Sequence, residues 1–380
     1  MRIMAVGGTF DDMSGRKSGY VAKLFDKLKT AFDKRRIGLE SGSLMFTSLN
    51  GGTFEQLERI IHEAMEFRVF LWFADVDNAK EKLIDRIKQE NPECLLVSSK
   101  RNIEGKYSVH DLVARALHTK ANLTVEFTSS EPGRFEATIL DPLGNSFLHR
   151  EVDIDKVADA LASRIERLLH FTRTGSYCIG TPVTVPDEKE FFSIVRNYAE
   201  TFHNLIHAAN QSRLLGNCSF RCERGFPGFR AGGLLFVSKR NIDKRDIGPD
   251  GFVPVSLDHL PEIRYLGRVE MVKDESNRER RVELDKPSVD APVQANLARI
   301  FPRVKYFLHS HVYIEGASMT QKVIPCGALE EVGEIASMFA DVDGFCVNLR
   351  GHGSLIATAS LDGLRDIPYV ARPAPEPQEW

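Results

Sequence analysis

Apolar and polar residues alternate along the first 172 positions as they do in a chain that switches repeatedly between strands and helices. Short apolar runs predict strands, and longer segments with apolar residues at helical spacing predict the helices between them. The strands are predicted at residues 3–6, 44–47, 69–73, 94–97, 123–127 and 135–140, and the helices at 20–32, 54–65, 79–89, 109–117 and 155–169. Strands that alternate with helices form βαβ units, so the pattern predicts an α/β domain with a doubly wound, mostly parallel sheet.

The pattern changes after residue 172. Residues 173–187 carry Thr, Gly, Ser and Pro in place of periodic apolar positions, which is typical of a linker. Further elements are predicted over residues 188–370: helices at 188–209, 291–300 and 329–339, strands at 304–309 and 346–349, and an exposed hairpin or loop at 273–286. Residues 371–380 are rich in proline and predict an extended tail. The sequence therefore predicts two domains, 1–172 and 188–370.

Charge and composition exclude several classes of protein. The 380 residues include 50 Lys and Arg against 53 Asp and Glu, a net charge of −3, and a dedicated nucleic-acid-binding protein would carry a basic excess. No apolar run approaches the roughly 18–20 residues of a membrane-spanning helix, and the first residues lack the apolar stretch of a signal peptide. Six cysteines scattered through a large chain do not form a disulfide framework. We therefore expect a cytoplasmic protein that binds neither nucleic acid nor membranes.

Two histidines stand one residue apart after an apolar run. His309 and His311 follow residues 304–308, and side chains two positions apart on a strand share a face. His352 follows a second apolar run at 346–349. Three neutral imidazoles can bind Zn²⁺ and leave one coordination position for a substrate. The alternative interpretation is that all three are ordinary polar residues at strand ends.

Five ordered motifs make residues 186–370 similar to the class II aldolase/adducin family, whose best-known members are zinc-dependent sugar-phosphate aldolases. The motifs lie at residues 216–221 (GNCSFR), 236–243 (FVSKRNID), 286–290 (KPSVD), 301–311 (FPRV leading into HSH) and 350–353 (RGHG). The resemblance implies an α/β/α fold and a homo-oligomer, a tetramer in that family. It also implies a Zn²⁺ ion, or another divalent transition metal, held by His309, His311 and His352.

The same resemblance assigns roles around the metal. Asp290 stands where the family carries the Glu that acts as general acid and base, so this chain departs by one methylene. Asn217, Ser238 and Ser288 are the candidate contacts of a substrate phosphate, whereas Val289 replaces a phosphate-binding serine. A second interpretation of Asp290 is an N-cap of the helix that begins with Ala291 and Pro292, and one residue can serve both purposes.

In the first domain, a glycine-rich turn follows the first predicted strand. Gly7, Gly8 and Thr9 precede the segment 14–19 (SGRKSG), and backbone N–H groups in such a turn can face an anion. The alternative is that a tight turn needs glycine whatever it binds. This half resembles phosphopantothenate–cysteine ligase, a Rossmann-like fold, and the strand that ends in Lys100 stands where that family carries an active-site lysine. The resemblance implies that Gly7, Gly8, Thr9 and Lys100 bind a nucleotide or another phosphorylated ligand.

Two features of this half qualify the ligase interpretation. Glu126 and Phe127 replace an Ala-Asn pair of the ligase, so a binding role fits this half better than ligase catalysis. Lys100 has a second interpretation as a solvated lysine at a strand end.

Three functions follow from these features. The first is a metal-dependent lyase that makes or breaks a C–C bond of a small hydroxy-carbonyl substrate, such as a sugar phosphate, through a metal-stabilised enediolate. Related sequences also include epimerases, dehydratases and decarboxylases. The second is a ligase-like enzyme whose aldolase-like half is a scaffold, and the third is an adducin-like interaction protein without catalysis.

Overall fold

The chain forms two compact units in a computed structural model. Residues Met1–His170 and Pro373–Trp380 make up the first unit, and Phe171–Arg372 make up the second. The structure describes residues 2–7, 19–37, 44–48, 59, 62, 67–73, 86–88, 91, 94–103, 107–131, 134–206, 216–273, 277, 279–373 and 376–377.

An eight-stranded sheet lies at the centre of the first unit. Its strands are β1 (Ile3–Gly7), β2 (Leu44–Ser48), β3 (Val69–Phe73), β4 (Leu95–Ile103), β5 (Leu123–Glu131), β6 (Arg134–Leu140), β7 (Asn145–Glu151) and β21 (Glu376–Pro377). The order is β2-β1-β3-β4-β5-β6-β7-β21, and the strands from β2 to β5 are parallel. The order 2-1-3-4-5 is one of the two common doubly wound arrangements, so the predicted Rossmann-like α/β class is confirmed.

Three helices of the first unit have the bounds that their apolar spacing predicts. They are α1 (Gly19–Lys34), α2 (Val109–His118) and α3 (Ile154–His170). A capping box begins α2, because Ser108 Oγ accepts from the Asp111 N–H at 3.3 Å while the Asp111 carboxylate accepts from the Ser108 N–H at 2.8 Å. The predicted helix at 54–65 lies outside the described residues except for 59 and 62, and that at 79–89 is described only at 86–88.

A nine-stranded, mostly antiparallel sheet lies at the centre of the second unit. Its order is β17-β18-β19-β15-β9-β10-β11-β12-β8. The strands are β8 (Ser176–Gly180), β9 (Asn217–Arg221), β10 (Leu234–Ser238), β11 (Phe252–Ser256), β12 (Ile263–Leu266), β15 (Tyr306–Ser310), β17 (Ser318–Met319), β18 (Gly344–Leu349) and β19 (Gly353–Thr358). Two short pairs complete the unit: the exposed hairpin of β13 (Val269–Lys273) and β14 (Glu279–Glu283), and β16 (Tyr313–Ile314) with β20 (Tyr369–Val370).

Helices cover both faces of this second sheet. The helix α4 (Lys189–Leu205) packs Phe191 and Phe192 against Phe220 and Phe236 on one face. On the other face, α5 (Ala291–Ile300) and α6 (Glu330–Met338) pack against a separate apolar cluster that includes Phe307. The unit is therefore an α/β/α sandwich, as predicted. Because residues two apart on a strand share a face, His309 projects with Phe307 toward the α5 and α6 side.

Several sequence predictions need correction. The presumed linker 173–187 contains β8, which pairs in parallel with β12 and buries Cys178. The presumed tail contains β21, which pairs with β7. Backbone C=O groups of any residue, and N–H groups of any residue except proline, can form these ladders, so polar and proline-rich composition does not reveal them. Each helix in the described part of the chain is too short or too polar to cross a bilayer.

Candidate metal centre

Three histidine rings converge at one end of the second sheet. His309 is the penultimate residue of β15, His311 follows the end of that strand, and His352 lies in the turn between β18 and β19. Since β19 pairs directly with β15, the turn lies beside the two other histidines. The ring centroids are 5.2 Å apart for His309 and His311, 4.6 Å for His309 and His352, and 5.6 Å for His311 and His352. One nitrogen of each ring lies within 4.8 Å of the others.

Neighbouring groups orient two of these rings. His309 Nδ1 lies 2.9 Å from the Ser354 carbonyl oxygen, which can only accept, so Nδ1 carries the proton and Nε2 carries a lone pair. That Nε2 is buried and has no hydrogen-bond partner among the described residues. His352 Nδ1 lies 3.3 Å from a carboxylate oxygen of the buried Glu331 on α6. A carbonyl or carboxylate on the far nitrogen is the usual outer partner of a metal-binding histidine.

The electrostatics of the centre favour neutral rings at two of the three positions. Burial, reinforced by the neighbouring His352, lowers the pKa of His309 to about 4. Burial likewise holds the pKa of His311 well below its ordinary value. Burial also opposes the charged form of His352, but the Cys326 thiol and the Glu331 carboxylate outweigh it and raise the pKa of that ring. Neutral imidazole is the form that binds a metal.

Asp290 places a carboxylate next to the histidines. It occupies the residue before α5, and its Oδ2 lies 4.0 Å from His309 Nε2. The Asn217 side-chain amide donates to the same Oδ2 at 2.8 Å, while Asp290 Oδ1 is buried without a partner. Asn217 in turn accepts from the Gln294 side chain. Asp290 stands at the N-cap position, but its side chain accepts no bond from the helix, so the capping interpretation is wrong for the carboxylate.

The three candidate phosphate contacts lie around this carboxylate. Asn217 binds Asp290, and Ser238 Oγ accepts from the Cys218 N–H at 3.2 Å. The Ser288 N–H donates to the Ser238 carbonyl at 3.1 Å. The Ser288 Oγ accepts a 3.4 Å hydrogen bond from the Asp290 N–H. Each of the three thus forms a hydrogen bond with a residue that lines the centre. Asn217 and Ser238 are buried, and Ser288 is partly buried.

Two residues of the centre were missed by sequence reasoning. Cys326 Sγ lies 3.1 Å from His352 Nε2, although the sequence analysis assigned no cysteine to the centre. Glu331, which contacts the other nitrogen of the same ring, was assigned only to a helix. Each is about 20 or more residues from His352 in sequence, and no motif or spacing marks either of them. Only the fold brings them to the ring.

The candidate ligand residues of the first unit lie partly outside the described residues. Gly7 ends β1, whereas Gly8 and Thr9 are not described. Lys100 is not at a strand end, because β4 continues to Ile103, and its Nζ lies 4.4 Å from the centroid of the Tyr107 ring. In the parallel register, Gly7 pairs with Phe73 and Ser98 pairs with Trp72. Lys100 therefore lies one residue beyond the level of Gly7, toward the carboxyl edge of the sheet.

Comparison with known proteins gives similarities in solved structures alone. No family model and no curated protein matches the chain. A DNA/pantothenate metabolism flavoprotein from Streptococcus pneumoniae is 12% identical over 44% of this chain and 99% of that chain, with a TM-score of 0.33. L-fuculose-1-phosphate aldolase from Thermus thermophilus is 15% identical over 46% and 82%, with a TM-score of 0.29. A sugar-phosphate aldolase from Thermotoga maritima is 14% identical over 46% and 89%, with a TM-score of 0.30. Each of these similarities covers less than half of this chain.

Proposed function

We propose that the second unit is a zinc-dependent lyase of the class II aldolase type, which makes or breaks a C–C bond in a small hydroxy-carbonyl compound, such as a sugar phosphate. The observation that carries the proposal is the convergence of His309, His311 and His352 beside the Asp290 carboxylate. The ordered motifs of the sequence assign these same four residues to metal binding and proton transfer.

The residues present fit a metal ion. A buried imidazole nitrogen without any partner is unfavourable unless something binds it, and His309 Nε2 is such an atom. Ser354 and Glu331 hold two of the three rings in the orientation that metal ligands require. Three nitrogen donors suit Zn²⁺ and leave a position open. When bound, the ion supplies a Lewis acid that polarises a carbonyl oxygen and stabilises negative charge developing there.

Asp290 is the group that moves the proton in this proposal. Its unpartnered Oδ1 is free to accept a proton from the substrate, while Asn217 holds the carboxylate in place through Oδ2. Burial of both side chains keeps bulk water from competing for that proton. Aspartate is shorter than the glutamate of the aldolases, so the substrate would lie closer to the backbone before α5. By the same resemblance the protein would form a homo-oligomer. By its separate resemblance to phosphopantothenate–cysteine ligase, the first unit would bind a nucleotide or phosphorylated ligand through Gly7, Gly8, Thr9 and Lys100.

Metal analysis of the purified full chain tests the proposal. We expect about one zinc per chain, no zinc in the double variant His309→Ala/His311→Ala, and unchanged zinc in the control His149→Ala, whose side chain is exposed on β7 of the other unit. Loss follows from removal of two of three ligands. Cleavage of a panel of hydroxy-aldehydes and sugar phosphates should then depend on the metal. Equal zinc in the wild type and the double variant would rule the proposal out.

A second candidate function places catalysis in the first unit. Lys100 lies near the carboxyl edge of the parallel strands, where doubly wound sheets bind ligands, one residue beyond the level of Gly7. A ligase-like activity predicts nucleotide-dependent release of pyrophosphate that is abolished by Lys100→Ala. If the chain binds neither zinc nor nucleotide, a non-catalytic, adducin-like role becomes preferable.

A further inference from the structure

We infer that Cys326 is a fourth ligand of the metal, and that its thiolate occupies the open coordination position until a substrate displaces it. The inference rests on the proposed metal centre and deepens it. It concerns a residue outside the five motifs, in the segment between β17 and α6.

The position of the sulfur is the first argument. Cys326 Sγ lies 3.1 Å from His352 Nε2, on the edge of the ring opposite to the nitrogen that contacts Glu331. With zinc–nitrogen and zinc–sulfur bonds of about 2.05 and 2.3 Å, two ligand atoms of a tetrahedral site lie about 3.6 Å apart. The sulfur is thus within about half an ångström of the separation that two ligands of one ion adopt.

The second argument is the grouping of donor atoms around His352. Within the described part of the chain, His309 Nε2 and Asp290 Oδ1 are buried polar atoms without a partner, and the two residues are 2% and 6% exposed. Cys326, His352 and Asp290 each offer one donor atom within 4.8 Å of the others, and His352 also belongs to the set of three histidines. Cys326 therefore lies beside a ring that belongs to both donor sets, and from this we infer that it shares one ion with His309 and His311.

The contacts of His352 also fit a second role for Cys326, as a nucleophile activated by His352 and Glu331. That arrangement uses His352 Nε2 as a base for the thiol, so the ring could not bind a metal at the same time. The nucleophile role would not explain why the His309 and His311 rings lie next to His352. A metal accounts for all of these contacts together, because each donor then faces the ion.

A thiolate ligand has consequences for the centre. Sulfur and imidazole donors together favour Zn²⁺ or Co²⁺ over Mg²⁺, Mn²⁺ or Ca²⁺, which prefer oxygen. A centre with four protein ligands is closed, as structural zinc sites are, so catalysis requires one ligand to leave. Cys326 is partly exposed and lies on a loop, whereas His309 is fixed in a strand, so the cysteine is the ligand that can be displaced.

Titration of the metal-free full chain with Co²⁺ tests the inference by absorption spectroscopy. We expect a near-ultraviolet sulfur-to-cobalt charge-transfer band in the wild type, its loss in Cys326→Ser, and its retention in the control Cys222→Ser. Cys222 is also partly exposed but follows the far end of β9 from Asn217. Cobalt that binds to the wild type without such a band would overturn the role of Cys326 and leave the proposed function standing. Cobalt that binds equally to His309→Ala/His311→Ala would instead overturn the proposed function.

Alkylation by iodoacetamide gives a second measurement that does not depend on the serine variant folding. Bound Co²⁺ or Zn²⁺ should protect Cys326 from alkylation, because the coordinated thiolate is not available as a nucleophile, while Cys222 in the same sample should react as before. Equal labelling of Cys326 with and without metal would show that the thiol is free, which fits the nucleophile and excludes the ligand.

Discussion

The Asn217 side-chain amide donates a 2.8 Å hydrogen bond to the Asp290 carboxylate and thereby holds it 4.0 Å from His309 Nε2. The bond joins β9, whose Asn217 pairs with His309, to the residue that precedes α5. The carboxylate is therefore fixed by the strand next to the one that carries the first histidine. Asn217 thus positions the proposed acid and base, while its contact with a substrate phosphate stays a prediction.

Asn217→Ala should remove the hydrogen bond that holds the Asp290 carboxylate beside His309. The variant removes two buried hydrogen bonds, which should lower the free energy of unfolding by about 1–3 kcal/mol. If Asp290 transfers the proton, kcat should fall more than KM rises, because the carboxylate is misplaced for the chemical step. Zinc content should stay at the wild-type level, since no metal ligand is changed. Steady-state kinetics on the substrate found in the panel measure kcat and KM. The matched control is Asn197→Ala, at an exposed position of α4. An effect on KM alone would contradict the role.

Glu331→Gln should weaken metal binding without abolishing it. Glu331 is buried on α6 and contacts His352 Nδ1 at 3.3 Å, and burial raises the pKa of the carboxyl against the opposing effect of His352. Replacement of such an outer carboxylate costs about 10–100-fold in metal affinity. Competition with a chelator of known zinc affinity measures the change. Glu334→Gln is the control on the same helix, because Glu334 accepts from the Gln321 backbone instead; a loss of affinity as large in that variant would show a general effect on α6.

Asp285 gives the fold a pH-dependent contribution. Its carboxylate accepts a hydrogen bond from Arg268 at 2.7 Å and forms an ion pair with Lys239 at 2.8 Å. The Arg268 guanidinium, and after it Lys239, hold the pKa of this carboxyl far below its ordinary value, although burial acts in the opposite direction. A carboxyl whose pKa is lowered in the folded state stabilises the protein above its unfolded pKa of about 3.9 and loses that effect as the pH falls further.

Asp285→Asn should therefore destabilise the protein at neutral pH, and the difference from the wild type should shrink progressively below about pH 4. The loss of charge-assisted hydrogen bonds at a buried carboxylate predicts about 1.5–3 kcal/mol at pH 7. Urea unfolding between pH 7 and pH 3 measures both values. The control is Asp362→Asn, since Asp362 pairs with Arg365 at an exposed position and should change stability little. A difference that stayed constant down to pH 3 would contradict the assignment.

Local sequence patterns predict part of the fold and part of the candidate metal centre. The apolar runs placed six of the eight strands of the first sheet but only β15 and β18 of the nine in the second, and helical spacing placed α1, α3 and α5, because burial of one face determines such patterns. His309 and His311 are one residue apart, so a single strand end positions both. His352 and Asp290 stood in ordered motifs. The structure brings these four together, while zinc binding itself stays a prediction.

The remaining features depend on contacts that are distant in sequence. Cys326 and Glu331 reach His352 only because α6 and the loop before it pack over the turn between β18 and β19. The resemblance to the ligase placed Lys100 at a strand end, yet β4 continues to Ile103 beside β5. The strand β8 is exposed or partly exposed at every position but Cys178, since it lies at the edge of its sheet, and alternation alone does not reveal an edge strand.

Gly353→Ala should displace the backbone at Ser310, between His309 in β15 and His311 just after it. Gly353 has φ +150°, and a Cβ there would lie 1.9 Å from the Ser310 carbonyl oxygen, between His309 and His311. Neither backbone can retreat without breaking the β15–β19 ladder, so we expect a loss of more than about 4 kcal/mol, in the range where single substitutions are exceptional. Zinc content should fall with it, because two ligands are displaced.

Gly228→Ala separates backbone strain from this steric overlap. Gly228 has φ +79°, but a Cβ there would meet nothing within 4 Å, so the variant should cost only the roughly 1–2 kcal/mol of a left-handed alanine and should keep its zinc. Denaturant unfolding and metal analysis of both variants measure the comparison. If the two glycine variants were destabilised equally and both retained zinc, the close approach of the β19 and β15 backbones would not be what positions the histidines.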